Sequence, residues 1–201
     1  MPKRLLHAIL SVPVMYDCMQ WCFGLNRKKA KLRELLRFDG RVEIVVDVGG
    51  GTGLYKDLWP AHFQYVCLDT DMEKLRGFTD KYPRGQKVQS DAGALGLRSN
   101  SVDNAFCSSM SHHVPEGPAL ERMIAEMARV IKPGGLLIFI DAVSIPESRL
   151  NRFLWRLDRG EHPHTARVLE TLIGKYSTIE TCERFSIYYD YVLFVARKTS
   201  A

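Results

Sequence analysis

Two rhythms of apolar residues divide this chain. A near-continuous, mostly β-branched apolar run occurs at Ile44–Val48, and further short runs that read as strands occur at Phe63–Leu68, Asp103–Cys107 and Leu136–Ile140, with a shorter one at Gln86–Gln89. Runs of this length and composition predict strands buried on both faces. Between them the apolar residues fall at helical spacing. Asp71–Lys81 is one such stretch, and Pro118–Ile131 another, with Leu120, Ile124, Met127, Ala128 and Ile131 on one face. Ahead of the first strand, residues 14–24 predict a short apolar helix ended by Gly24. A second helix over about Arg27–Leu36 carries Leu32, Leu35 and Leu36, and Asp39-Gly40 forms a turn. Strand alternating with helix argues for a parallel sheet with right-handed crossovers.

The C-terminal part breaks this rhythm. Arg149–Leu157 and Thr165–Tyr176 predict helices, and Ile179–Tyr188 and Tyr191–Arg197 predict strands with almost nothing between them. Parallel neighbours need a crossover of about a dozen residues or more, so these two must pair as an antiparallel hairpin. The expectation is seven strands with one reversed.

Length and composition agree with a folded α/β unit: 201 residues, 46% hydrophobic. No apolar run approaches the roughly 20 residues that span a bilayer. The basic and apolar start ends at Pro13 without a small-residue cleavage site, so no signal peptide is read. Five scattered cysteines, at 18, 22, 67, 107 and 182, suit a reducing compartment, and the expected location is cytoplasmic. The net charge is +5. Residues 1–40 hold eight bases and three acids, so the remainder of the chain sums to zero. The bases of this leading arm read either as a solvated helix face or as a contact for an anionic membrane or an acidic substrate.

The chemistry gathers at Glu43–Leu54. The first strand runs into Asp47-Val-Gly49-Gly-Gly51-Thr52-Gly53-Leu54, and a helical pattern follows from about Thr52. The expectation is therefore a strand-to-helix turn that lets a ligand approach the backbone. Free N–H groups at the helix start would receive an anionic end of that ligand. The dinucleotide pattern G-x-G-x-x-G fails, because its third glycine would fall on Leu54.

The spacing Asp47-x-Gly49-x-Gly51-x-Gly53 resembles the first motif of class I methyltransferases that use S-adenosyl-L-methionine (AdoMet). Val66–Asp71, Gln89–Ala92, Asp103–Val114 and Arg129–Asp141 resemble the later motifs in order and spacing. The likeness is strongest to the small-molecule group that includes ubiquinone/menaquinone-type methyltransferases, and it covers about half of the chain. It implies a Rossmann-like three-layer α/β sandwich, with one antiparallel strand in a C-terminal hairpin of a mostly parallel seven-stranded sheet. It also implies one domain over 1–201: a helical cap at 1–40, an AdoMet-binding core at 41–141, and substrate-side helices with the hairpin at 142–201.

What the resemblance implies for single residues is specific. Asp69, at the tip of the second strand, would accept hydrogen bonds from the ribose hydroxyls. Gly49, Gly51, Thr52 and Gly53 would line the ligand, with Asp47 organising its amino group. Asp91 and Ala92 would lie beside the adenine and Thr70 beside the adenosine. The Ser108 carbonyl would meet the ligand's ammonium, and Tyr16 would close over the site. His112 and His113 are the catalytic candidates, since a histidine near the methyl can act as a general base; loop packing before Pro115 is the plainer reading. His162 and His164 form too weak a pattern for a metal site, and none is expected. With Arg156, Asp158 and Arg159 they read as substrate contacts or as an exposed face. The expected activity is methyl transfer to a small-molecule or lipid-like acceptor. The alternative is a non-catalytic AdoMet-binding regulatory or scaffolding subunit. Nucleic acid is not expected as a partner, because the basic charge is confined to the arm.

Overall fold

A computed structural model describes residues 13–22, 24–38, 41–157 and 162–199. The arm at 1–12, Asp39-Gly40, Asp158 and Arg159 lie outside the described residues, and of Tyr16 only the backbone is described.

Two helices lead the chain, α1 (Pro13–Cys22) and α2 (Leu25–Leu35). There follow β1 (Ile44–Val48), β2 (Gln64–Asp69), α3 (Met72–Lys81), β3 (Gln86–Gln89), β4 (Val102–Ser108), α4 (Pro118–Val130) and β5 (Ile131–Val143). The chain ends with α5 (Arg149–Leu157), α6 (Ala166–Gly174), β6 (Ser177–Ser186) and β7 (Asp190–Lys198). The seven strands form one sheet in the order β3-β2-β1-β4-β5-β7-β6. Pairs from β3 to β5 are parallel, and β7 runs antiparallel to both β5 and β6. The single reversed strand is thus β7, as the short hairpin connection required.

Alternation along the strands feeds two apolar layers. Val46, Val48, Cys107, Phe139 and Phe194 face α4 and α6, where Leu120, Ile124, Met127, Leu169 and Ile173 are buried. Val45, Phe106, Ile138 and Leu193 face the other side, against Leu25 and Leu32 of α2, Leu75 and Phe78 of α3, and Tyr55, Leu58 and Trp59. The sandwich has three layers, as expected.

Three expectations need correction. No α-helix follows the glycine turn. Turns run through Gly51–Tyr55, and a single 3₁₀ turn occupies Lys56–Leu58. Gly51 and Gly53 hold φ of 55° and 72°, outside the helical region, and Pro60 closes the connection before two helical turns can form. The fifth strand starts before Leu136: β5 begins at Ile131, which pairs with Val102, Lys132–Gly135 bulges out, and Leu136 rejoins opposite Asn104. Finally, the bases of α2 are not all solvated. Lys28 and Lys29 are buried, the latter held by a 2.6 Å ion pair to Asp57.

Candidate active site

Strand order reverses between β1 and β4, whose ends lie side by side, Val48 opposite Cys107. The crevice beyond such a switch point is where open α/β sheets receive ligands. The glycine turn leaves β1 here, and Ser108–Met110 leaves β4 beside it. A Cβ on Gly49 would sit 2.4 Å from Met110 Cγ, so only glycine lets the two loops pack.

Four of the turn's amides are committed within the protein. Gly49 and Gly50 donate to the Leu68 carbonyl at 2.8 and 2.9 Å, Gly51 donates to Asp69 Oδ2 at 2.9 Å, and Gly53 donates to the Gly50 carbonyl. Those four N–H groups are therefore not offered to an anionic end. In their place the crevice carries carboxylates. Asp69 accepts on one oxygen from Gly51 and on the other from the Asp71 N–H, 2.8 Å away, which leaves a lone pair on each oxygen. Asp47 is buried and accepts from the Tyr65 hydroxyl. Burial pushes its pKa up to about 7; the Tyr65 bond opposes this and the Asp69 charge adds to it. The Ser108 hydroxyl is buried without a hydrogen-bond partner among the described residues. Acceptors with spare lone pairs and an unpaired hydroxyl fit a ligand that brings ribose hydroxyls and positive charge. They do not fit a pyrophosphate. AdoMet is such a ligand, and Asp47, Asp69 and Ser108 are the residues that would hold it.

The other sequence candidates divide. Thr52 is fully buried, and its hydroxyl donates to Asp17 of α1 at 2.5 Å. Thr70 and Asp91 are exposed at the ends of β2 and β3, with Ala92 half-buried. Asp91 Oδ1 accepts from the Gly93 N–H at 2.7 Å and so shapes its own loop.

His112 and His113 stand in a single 3₁₀ turn, Ser111–His113, after β4. They part company there, His112 buried and His113 exposed. His112 Nδ1 lies 2.7 Å from Oδ1 of Asp141, the wholly buried acid near the end of β5. Asp141 also accepts from the N–H groups of Met110, Ser111 and Ala142 and from the Ser111 hydroxyl. Burial alone would raise its pKa; the His112 charge and these donors reverse that and hold it at about 2. An ionised Asp141 accepts a hydrogen bond from Nδ1–H, which leaves the lone pair of neutral His112 on Nε2. The pair has the base-and-orienter arrangement of nucleophile-activating sites. In the sequence Asp141 stands only as the last residue of the Arg129–Asp141 motif. An acid at the tip of a buried strand beside the switch point was the available signal.

His164 has a structural role. It is buried, and its Nε2 meets the Ser111 and Val114 carbonyls at 3.0 and 3.1 Å, so this nitrogen carries the proton and pins the His112 turn. His162 adds a backbone bond to the His112 carbonyl. Among the described residues no cluster of three or more His, Cys, Asp or Glu could hold a metal.

Residues 46–139 match the methyltransferase domain family. Over that stretch, from β1 into β5, the chain is similar to the class I AdoMet-dependent methyltransferases. The tRNA (carboxymethyluridine(34)-5-O)-methyltransferase of Arabidopsis thaliana is 32% identical over 139 residues, which is 68% of this chain and 32% of that protein. The malonyl-[acyl-carrier protein] O-methyltransferase of a Marinomonas species is 27% identical over 148 residues, 70% of this chain and 53% of that one. The chain thus spans about a third to a half of the length of these relatives. Among solved structures, the N-methyltransferase NodS of Bradyrhizobium japonicum, in complex with S-adenosyl-L-homocysteine, superposes with a TM-score of 0.71 at 16% identity, covering 87% of each chain. The methyltransferase domain supplies the motifs, and the superposition supplies the fold.

Proposed function

We propose that this chain binds AdoMet in the crevice between β1 and β4 and transfers its methyl group to a small-molecule or lipid-like acceptor. The observation that carries the reading is the chemistry of the glycine turn. The N–H groups of Gly49, Gly50 and Gly51 are spent on Leu68 and Asp69 of β2, and the crevice offers carboxylates to a cationic ligand. AdoMet, when bound, supplies an activated methyl on sulfur. The protein's own part is to align the acceptor, exclude water, and take a proton at His112 Nε2 where the acceptor carries one. The zero net charge of residues 41–201 supports a small acceptor over tRNA, although one relative bears a tRNA methyltransferase name. The test is labelled AdoMet with fractionated small-molecule, lipid and tRNA extracts. Label in the first two fractions is expected. Label in tRNA alone would refute the acceptor class, and binding without turnover would make the chain a non-catalytic AdoMet-binding subunit.

A second contact is favoured by α1. Val14, Met15 and Trp21 are 67%, 45% and 65% exposed, and Lys3 and Arg4 precede them in the sequence. This face supports attachment to an anionic membrane surface. Vesicle co-sedimentation that shows no preference for anionic lipid at low salt would refute it. Unpaired thiols at Cys67 and Cys107, buried in β2 and β4, support a reducing, cytoplasmic setting.

A further inference from the structure

Lys28 is the least expected residue of the molecule. It belongs to α2, is 1% exposed, and makes hydrogen bonds among the described residues only to neutral groups: Ser109 Oγ at 3.1 Å and Gln20 Oε1 at 3.4 Å. Its ammonium also lies 5.4 Å above the Tyr191 ring. An ammonium removed from water without a bonded carboxylate is destabilising. Among the described residues the one acid whose field reaches it, Asp141, is already committed to His112, Ser111 and three backbone N–H groups. Burial accordingly lowers the Lys28 pKa to about 8, with Asp141 pulling the other way. Its place is as telling as its charge. Ser109 directly follows Ser108 and holds a left-handed φ of 51°, and Tyr191 pairs with Ala142, next to Asp141. Lys28 therefore stands where the helical cap meets the ends of β4, β5 and β7, in the field of the same carboxylate that orients His112.

Resting on the methyltransferase reading above, we propose that Lys28 sets the charge class of the acceptor: an oxygen or carbon acid that reacts as an anion, seated against the Lys28 ammonium with His112 as its base. The acceptor gives its proton to His112 Nε2, and its freed electron pair forms the bond to the methyl. The pair of the broken sulfur–methyl bond stays on sulfur. The Gln20 contact, at the outer limit of a hydrogen bond, is the one an acceptor oxygen replaces. A protonated amine is excluded here, because two like charges in a dry site repel.

The inference is tested by calorimetry on the protein saturated with S-adenosylhomocysteine, using benzoate and 4-nitrophenolate as anionic probes and benzylamine as the cationic one. The anions should bind at least about tenfold more tightly than the amine, as one charge-assisted hydrogen bond implies. Lys28→Met should abolish that preference and Lys28→Arg should keep it, with affinity for S-adenosylhomocysteine within about twofold in both. A measurement on the unaltered protein covers the case in which a variant does not fold. Benzoate keeps its charge over this range, so its affinity should fall as the pH rises from about 7 to about 9 and the Lys28 ammonium is lost. Among the described residues the charged and titratable groups facing Lys28 are Asp141 from β5 and Tyr191 from β7; Gln20 and Ser109 carry no charge. Absence of anion binding, equal affinity for the amine, or a pH-independent benzoate affinity would overturn the inference. So would a Lys28→Met variant that loses S-adenosylhomocysteine instead, since Lys28 would then serve the cofactor's carboxylate. Failure of the unaltered protein to bind S-adenosylhomocysteine strikes the methyltransferase reading itself, and with it this inference, and is seen before any acceptor probe is added.

Discussion

Asp17 Oδ1 accepts a 2.5 Å hydrogen bond from Thr52 Oγ1, which fastens α1 directly to the glycine turn. The other Asp17 oxygen pairs with Lys81 of α3, and Lys81 Nζ reaches the Thr52 carbonyl at 3.4 Å. The cap is thus tied to the crevice through one carboxylate.

Asp17→Ala should release that tie. Thr52 is wholly buried, so its hydroxyl would be left without its acceptor, and unfolding free energy should fall by about 1–2 kcal/mol. The half-exposed pair with Lys81 adds little. Hydrogen exchange over residues 13–22 should speed up in the variant. Unchanged exchange there would mean that apolar packing alone seats the helix.

Asp69→Ala should weaken AdoMet and S-adenosylhomocysteine by roughly tenfold to several hundredfold, the loss of two charge-assisted hydrogen bonds. The substitution also strips the Gly51 and Asp71 N–H groups of their acceptor, so the turn should loosen. Asp69→Asn, which keeps an acceptor oxygen, should fall between. Unchanged affinity in Asp69→Ala, measured by calorimetry, removes Asp69 from the ligand site.

His112 and His113 should separate cleanly. With an acceptor in hand, His112→Ala should lower turnover by roughly 10²–10⁴-fold while S-adenosylhomocysteine binding holds. His113→Ala, on an exposed side chain, should stay near normal. Asp141→Asn should lower kcat by misorienting His112 and shift the pH–rate profile, a signature that loss of packing would not give. In the stability profile, the Asp141 carboxylate sits below its unfolded value of 3.8, at about 2. Its contribution is complete above about pH 4 and drains away as the pH falls toward 2. Equal turnover in both histidine variants would leave catalysis to alignment alone.

Asp47 titrates in the opposite sense. Its folded pKa is raised from 3.8 to about 7, so between those values the folded state holds the extra proton. Stability of the ligand-free protein should therefore decline as the pH rises through 7, and Asp47→Asn should flatten that slope. Affinity for a ligand bearing an ammonium should rise over the same interval, because the carboxylate becomes charged. Denaturation and calorimetry at pH 6 and about pH 8 read both effects. Parallel profiles for the two proteins would show that Asp47 does not titrate there.

The sequence by itself determined the order of strands and helices, the reversed β7, the two-faced burial of the sheet and the place of the glycine turn. Each follows from short-range information: β-branched runs, helical spacing, and a hairpin link too short for a crossover. It also located Asp69 and the His112-His113 pair, because strand tips beside a reversal in strand order are set by topology. Only the tertiary structure decided which groups face which. That the turn spends its amides on Leu68 and Asp69 depends on how β1 and β2 lie in register. That Asp141 orients His112 joins residues 29 apart, and the contact of Lys28 with Ser109 joins residues 81 apart. Helical periodicity places the bases of α2 on faces of a cylinder but does not say that the Lys28 face meets the end of β4. Burial and electrostatic environment are sums over neighbours that are distant in the chain, and they are fixed only when the layers close on one another.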